Sequence, residues 1–369
     1  MIFQSKNVWI DEQLQPAQIE INEGKITGVY RYNSYKCDKD FGELWILPGF
    51  TDIHTHGENG ADANKLTFDD FKMWCQHLPQ EGVTSYVVST YTQADEKNVV
   101  SLKNICDYID SDYQGAEAVG INIEGNFISK NRPGAQEIET IIGPRVDILD
   151  KYYQICREKL LTVTYACEDD KDHQFLNYCL AHKIRASIGH CVATYQQAED
   201  AAKHGATGVT HTGNGMPSFH HRTPGLFGAA VNIDSLYAEC IGDGVHVDFQ
   251  TMHLIGTMKG KDKMIMITDS ATEKDDPQYD YMKTSGAYKR EDGTLFGSCL
   301  YVNKGVYNML YKANLPLVTA INAVTINPAR YLGFDNRKGT IQIGKDADIV
   351  ICNDQIELTQ VYCKGVAQL

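Results

Sequence analysis

The feature that most constrains the fold of this 369-residue chain is the alternation of short apolar runs with amphipathic stretches between residues 50 and 269. The apolar runs predict eight strands, and the stretches between them predict helices, including 68–78, 146–159, 196–203 and 317–323. Eight strands separated by helices are typical of a parallel (β/α)8 TIM-like barrel, which needs about 250 residues. The predicted strands cover residues 50–54, 84–89, 118–124, 161–166, 185–189, 207–211, 243–248 and 264–269.

The two ends of the chain differ from the middle, because both contain short alternating runs broken by turns. In the N-terminal part, residues 22–25 (NEGK) separate two such runs in the manner of a hairpin. The C-terminal part repeats this pattern. We therefore predict a small β-sandwich domain built from residues 1–49 and 338–369, with the barrel, residues 50–337, inserted between its halves.

Composition excludes several classes of function. A net charge of -14 disfavours nucleic acid as a partner, because phosphate backbones attract basic surfaces. No run approaches 18 apolar residues, so no membrane-spanning helix is expected, and residues 1–6 show no signal-peptide pattern. The 11 cysteines are dispersed without CxxC pairs, which is typical of reduced thiols and predicts a cytoplasmic protein.

The first predicted barrel strand ends in His54-Thr55-His56. In a strand, residues two positions apart point to the same face, so His54 and His56 could hold one metal ion together. Two nearby histidines are by themselves a modest signal. Ligands of one metal must converge from several elements, so the other strands decide whether this pair belongs to a site.

Ionisable residues also occur at or near the ends of five further predicted strands. Barrel enzymes build their sites at the C-terminal ends of the strands, where these side chains would meet. The pattern therefore predicts a metal-dependent active site on this rim. The residues are Glu124 for strand three, His190 for strand five, His211 for strand six, His246 on strand seven and Asp269 for strand eight.

On these motifs the sequence resembles the amidohydrolase superfamily over nearly its full length. Residues 48–57 (PGFTDIHTHG), 222–225 (RTPG), 268–270 (TDS) and 344–348 (GKDAD) carry the resemblance further. Other members use a modified lysine at the position of Glu124. The acid at this position points to the branch that deacetylates amino-sugar phosphates. The resemblance implies hydrolysis of N-acetylglucosamine 6-phosphate to glucosamine 6-phosphate and acetate.

The resemblance also implies one or two divalent metal ions per subunit, zinc, iron or similar. Asp269 would act as general base and acid while metal-activated hydroxide attacks the acetyl carbon. His246 would hold the substrate or stabilise the oxyanion near the carbonyl. The implied metal ligands are Glu124, His190 and His211 for one ion, and His54 and His56 for a second ion that Glu124 would bridge, with Asp269 as a further ligand.

Substrate-binding residues follow from the same resemblance. Arg222 matches the phosphate-binding arginine of the family, and a guanidinium group suits a phosphate dianion. The other implied contacts are Asn214, Gly215, His246 and Ala135. The chain departs from the family pattern near the sugar, at Asn126, Gln136, Gly213 and Gly215.

Two alternatives stay open, and the departures near the sugar bear on the first. The same chemistry could act on N-acetylgalactosamine 6-phosphate or another N-acyl compound. A non-catalytic scaffold that kept the barrel is the second alternative, and the joint presence of the six metal-type residues argues against it. The resemblance implies a homodimer with a small-molecule substrate.

Overall fold

The computed structural model of the chain describes residues 1–278, 283–284 and 286–369. Within these residues the strands form two large sheets, one three-stranded sheet and one two-stranded hairpin. In chain order the strands are β1 (Ile2–Ile10), β2 (Gln13–Asn22), β3 (Lys25–Arg31), β4 (Lys39–Asp40), β5 (Trp45–Pro48), β6 (Phe50–Thr55), β7 (Gly57–Glu58), β8 (Ala61–Asp62), β9 (Val83–Thr90), β10 (Glu117–Ile123), β11 (Leu160–Tyr165), β12 (Arg185–Ile188), β13 (Gly208–Val209), β14 (Tyr237–Ile241), β15 (Met264–Ile267), β16 (Lys283–Thr284), β17 (Ala287–Lys289), β18 (Leu295–Ser298), β19 (Ile349–Cys352), β20 (Leu358–Cys363) and β21 (Val366–Ala367).

Helices occupy most of the connections between the barrel strands. Capping residues define where some of them begin. At the start of the first helix the Thr67 side chain accepts from the Asp70 backbone N–H, and the Asp70 carboxylate accepts from the Thr67 backbone N–H. The helices are α1 (Phe68–His77), α2 (Asp95–Ile109), α3 (Val146–Cys156), α4 (Gln174–Ala181), α5 (Tyr195–Lys203), α6 (Gly225–Asn232), α7 (Phe249–Lys263), α8 (Val302–Tyr307), α9 (Leu317–Asn322) and α10 (Ile326–Leu332). No helix in the described part of the chain combines the length and apolarity needed to cross a membrane.

The predicted (β/α)8 barrel is confirmed. Strands β6 and β9 to β15 form one sheet in which each strand pairs in parallel with the next. Just past β15, the backbone N–H of Asp269 donates to the His54 carbonyl at 2.9 Å, and that of His56 donates to the Ser270 carbonyl at 3.1 Å. These two bonds bring the last strand against the first at the C-terminal rim.

The seventh predicted strand was placed wrongly. The structure has β14 at Tyr237–Ile241, while residues 243–248 form the turn that follows it. The Asp243 side chain accepts from the backbone N–H groups of Val245 and His246 at 2.8 and 2.9 Å, and Gly244 has a φ of 79°. Alternating valines around His246 imitate a strand, but the Asx turn and the left-handed glycine bend the chain instead.

Both ends of the chain contribute to the second large sheet, whose order is β21-β20-β19-β5-β1-β2-β3, with β4 beside β1. Strand β19 pairs antiparallel with β5, so that Val350 lies opposite Leu47. Phe3, Ile19 and Ile349 belong to a separate apolar core under this sheet. This arrangement agrees with a small β domain built from both termini, whose boundaries at residues 49 and 338 we retain as a proposal.

Candidate active site

The residues predicted for the site lie together on the C-terminal rim of the barrel. Glu124 directly follows β10, and its backbone N–H donates to the Thr90 carbonyl at 3.0 Å. His190, His211 and Asp269 follow β12, β13 and β15, and all three have left-handed backbones with φ of 44°, 28° and 49°. Such backbone angles are costly for residues other than glycine and tend to occur at functional sites.

One group of potential ligands is formed by Glu124, His190 and His211, all buried. Oε1 of Glu124 lies 2.8 Å from Nε2 of His211 and 3.1 Å from Nε2 of His190. The two imidazole nitrogens are themselves only 3.1 Å apart. Three groups that can donate an electron pair therefore converge on one point from three different strands.

A second group is formed by His54, His56 and Asp269. Oδ1 of Asp269 lies 3.2 Å from Nε2 of His56 and 3.7 Å from Nε2 of His54. Glu124 lies between the two groups, since its Oε2 is 3.5 Å from Nε2 of His56. The buried Nε2 atom of His54 has no hydrogen-bond partner among the residues that the structure describes.

Hydrogen bonds to the opposite ring nitrogens orient three of these imidazoles. Nδ1 of His190 lies 2.8 Å from the Arg132 carbonyl, and Nδ1 of His56 lies 2.9 Å from the Ser89 carbonyl. Nδ1 of His54 lies 3.2 Å from the carboxylate of Glu239. Because these oxygens only accept, each Nδ1 carries a proton, and in the neutral ring Nε2 presents its lone pair to the site.

The buried carboxylates of the site need positive charge beside them. Burial alone would lower the pKa of His54, but the hydrogen bond to Glu239 and the charges of Glu124 and Asp269 raise it to about 10. Burial would likewise raise the pKa of Glu124, but the imidazoles of His190 and His211 lower it well below its usual range. Protons or a divalent cation can supply this charge. The imidazole and carboxylate donors, with Nε2 of His54 orphaned, fit a metal ion.

A cavity with a volume of about 300 Å³ opens onto both groups. Four of the five predicted substrate contacts line it, namely Asn214, Gly215, His246 and Ala135. Nδ1 of His246 lies 2.6 Å from Oδ2 of Asp243, an acceptor, so Nε2 is the atom available to a substrate.

Arg222, the fifth predicted contact, lies elsewhere. It is exposed, does not line the cavity, and its Nη1 lies 2.9 Å from Nε2 of His221. Among the described cavity-lining residues, the cationic side chain is that of Arg290, in the connection between β17 and β18. It donates to the Ala135 carbonyl at 3.1 Å and lies over the ring of Phe296.

Sequence reasoning did not single out Glu239, Asp243 or Arg290. Glu239 carried a usable signal, because it is an acid inside the apolar strand β14, and it is only 4% exposed. Arg290 carried no comparable signal, since its segment resembles an ordinary polar hairpin.

Comparisons with known proteins agree with this geometry. A model of the amidohydrolase family matches residues 45–367. The N-acetylglucosamine-6-phosphate deacetylase of Bacillus subtilis is 34% identical over 369 residues, covering 96% of this chain and 93% of that protein. The N-acetylgalactosamine-6-phosphate deacetylase of Escherichia coli is 29% identical over 364 residues, covering 97% of this chain and 95% of that protein.

A solved structure is similar over the whole chain. The N-acetylglucosamine-6-phosphate deacetylase of Thermotoga maritima superimposes with a TM-score of 0.87 at 27% sequence identity, covering 100% of this chain and 99% of that one. The similarity extends over both the barrel and the terminal sheet.

Proposed function

The chain belongs to the amidohydrolase family, and from that premise we propose that it hydrolyses N-acetylglucosamine 6-phosphate to glucosamine 6-phosphate and acetate. The observation that carries the proposal is the convergence of Glu124, His190 and His211 beside Asp269 in one rim cavity. Relatives that match almost the full length of the chain bear this activity in their names.

We propose that Glu124, His190 and His211 hold one divalent metal and that His54 and His56, with Asp269, can hold another. When bound, such a cation polarises the acetyl carbonyl and lowers the pKa of a water molecule to about 7. Zinc, iron or a similar ion suits this set of nitrogen and oxygen ligands.

Asp269 moves the proton in this proposal. Burial alone would raise its pKa, but the hydrogen bond with His56 and the charge on His54 lower it below the usual range. Asp269 is therefore ionised at neutral pH and can accept a proton from the attacking water. It then returns that proton to the amine nitrogen as the amide bond breaks.

His246 positions the substrate. Asp243 fixes its ring through Nδ1, and the ring lines the cavity, so Nε2 can contact the acetyl group or a sugar hydroxyl. Asn214 and Gly215 line the same cavity, and their backbone N–H groups are proposed donors to the substrate.

Arg222 does not line the cavity of its own chain, which supports a homodimer in which it reaches the phosphate in the neighbouring subunit. Two inactive variants test this arrangement. Asp269→Asn removes the proton carrier and Arg222→Gln removes the phosphate ligand, so mixed dimers contain one site with both residues intact. Activity that reappears on mixing supports the homodimer, whereas activity that stays absent contradicts it.

We also propose a cytoplasmic location. Nine of the 11 cysteines are buried, and among the described residues none of these nine forms a disulfide bond. Buried thiols without disulfides are typical of proteins in a reducing compartment.

The test of the function is acetate release from N-acetylglucosamine 6-phosphate by protein of measured metal content. Unphosphorylated N-acetylglucosamine and N-acetylgalactosamine 6-phosphate serve as comparison substrates. Preferential turnover of the phosphorylated gluco sugar is the expected result. Metal-loaded protein that releases acetate only from the galacto epimer, or from none of the three, would overturn the substrate assignment.

A further inference from the structure

The side-chain amide of Gln136 bonds to two partners, one of which is a hydrogen-bond donor and the other an acceptor. Its Oε1 accepts from the backbone N–H of Thr92 at 2.8 Å, and its Nε2 donates to Oε2 of Glu124 at 2.7 Å. A backbone N–H only donates, so the amide oxygen must face Thr92 and the amide nitrogen must face Glu124. In the contact with Glu124, Gln136 is therefore always the hydrogen-bond donor.

The surrounding loop keeps Gln136 in this position. Its backbone N–H donates to the Pro133 carbonyl at 3.0 Å, and the N–H of the next residue, Glu137, donates to Oγ1 of Thr92 at 3.1 Å. Thr92 is buried and lies two residues after the end of β9. Backbone and side chain are both anchored, so the amide cannot leave Glu124 without breaking further bonds.

This contact makes the two oxygens of Glu124 unequal. Oε1 lies 3.1 Å from Nε2 of His190 and 2.8 Å from Nε2 of His211. Oε2 accepts from Gln136 and lies farther, at 3.5 Å, from the nearest nitrogen of the other group, that of His56. A carboxylate that bridges two cations through both of its oxygens offers one oxygen to each, and a hydrogen bond to Oε2 competes for the electron density that a second cation requires.

We propose that Gln136 makes the two metal sites unequal in affinity. It leaves Glu124 as a one-oxygen ligand of the ion held with His190 and His211, and it withholds the bridging oxygen from the ion held by His54, His56 and Asp269. The first ion is bound tightly and the second weakly. The inference rests on the proposed function in needing metal at this rim, but it concerns metal affinity and not the substrate.

The test is a titration of the metal-free protein with Co²⁺, in competition with a chromophoric chelator, which yields two stepwise dissociation constants. In the wild-type protein we expect these constants to differ by at least about 100-fold. Gln136→Met keeps the length of the side chain and removes its amide. Loss of an outer-shell partner changes metal affinity by about 10–100-fold, so we expect the first site to weaken, the second to tighten and the constants to converge.

Gln93→Met is the matched control. Gln93 lies in the same connection as Thr92, and its amide donates to Oγ of Ser101 at 2.9 Å without contacting Glu124. We expect wild-type constants for this variant. If Gln136→Met does not fold, as judged by circular dichroism, Gln136→Asn replaces it, because the shorter amide cannot reach both partners.

Equal constants in the wild-type protein would overturn the inference, as would unchanged constants in the Gln136 variant or a single bound ion in every variant. Acetate release is measured on the same loaded samples. Active protein with equal constants would refute this inference alone. Inactive protein with the expected pair of constants would refute the proposed function and support the inference.

Discussion

Nδ1 of His54 lies 3.2 Å from Oε2 of Glu239, across the barrel from β6 to β14. Both side chains are buried, and the backbone N–H of His211 also approaches Oε2 of Glu239, at 3.4 Å. One carboxylate thus contacts a residue of each ligand group. It fixes the tautomer of His54 and raises the basicity of Nε2.

Replacement of Glu239 is therefore expected to weaken the metal site that contains His54. Glu239→Gln keeps an acceptor and removes the charge, so we expect about tenfold weaker binding, and about 100-fold for Glu239→Ala. Stepwise Co²⁺ titration measures both. Glu158→Gln, an exposed change, is the control, and equal metal affinity in all variants would contradict the role of Glu239.

Asp269→Asn separates proton transfer from metal binding. Asparagine keeps the shape of the side chain but cannot accept the proton, so we expect the turnover number to fall by about 10²–10⁴-fold. The ion held by Glu124, His190 and His211 should remain. Steady-state kinetics measures the turnover number, and elemental analysis of the same sample measures the metal content. Near-normal turnover would remove Asp269 from the mechanism.

The buried carboxyl of Asp52 is expected to make the stability of the protein depend on pH. Complete burial raises the pKa of its carboxyl to about 6 from an ordinary value of 3.8. Protonated Asp52 therefore contributes stability that is fully present below pH 3.8 and is lost as the pH rises through 6.

Asp52→Asn, which stays neutral, should consequently gain stability over the wild-type protein as the pH rises. We expect the difference in unfolding free energy between the two proteins to grow by about 1 kcal/mol from pH 5 to pH 8. Urea unfolding of metal-free protein at both pH values measures it. A difference that stays constant or shrinks would show that the carboxyl is ionised throughout.

Removal of the charge on Lys274 is expected to destabilise the protein strongly. Its ammonium lies 3.0 Å from Oε2 of Glu58 and also contacts Glu81, and all three side chains are at most 1% exposed. Lys274→Met would leave the buried Glu81 carboxylate without its cation and Glu58 with the His77 imidazole at 2.9 Å, at a cost of about 3–5 kcal/mol.

Urea unfolding compares this variant with the triple variant that adds Glu58→Gln and Glu81→Gln, in which part of the loss should return. Lys203→Met, which breaks an exposed pair with Glu199, should leave stability almost unchanged. A Lys274→Met protein as stable as the wild type would show that the buried ion pair contributes nothing.

Local patterns predicted the barrel because each strand needs only its own apolar run, and most strand bounds differ from the prediction by one or two residues. The strand near His246 was misplaced because two valines suggest a strand even where a glycine turns the chain. The structure does bring His54, Glu124 and Asp269 together, because strand ends in a barrel meet at one rim by construction.

Other parts of the site depend on contacts between distant residues and could not be inferred locally. Glu239 matters through His54, which lies 185 positions away. Gln136 was noted only as a departure from a family pattern, and its contact with Glu124 emerges from the path of a loop. The location of Arg222 outside its own cavity likewise required the fold.

The position of β19 between β5 and β20 has a consequence for protein synthesis. The first strands leave the ribosome early, but β5 lacks its neighbour until residues 349–352 have been translated. The edge of β5 therefore stays unpaired while the whole barrel emerges. Premature termination before residue 349 would leave this edge open to pairing with other chains and to aggregation.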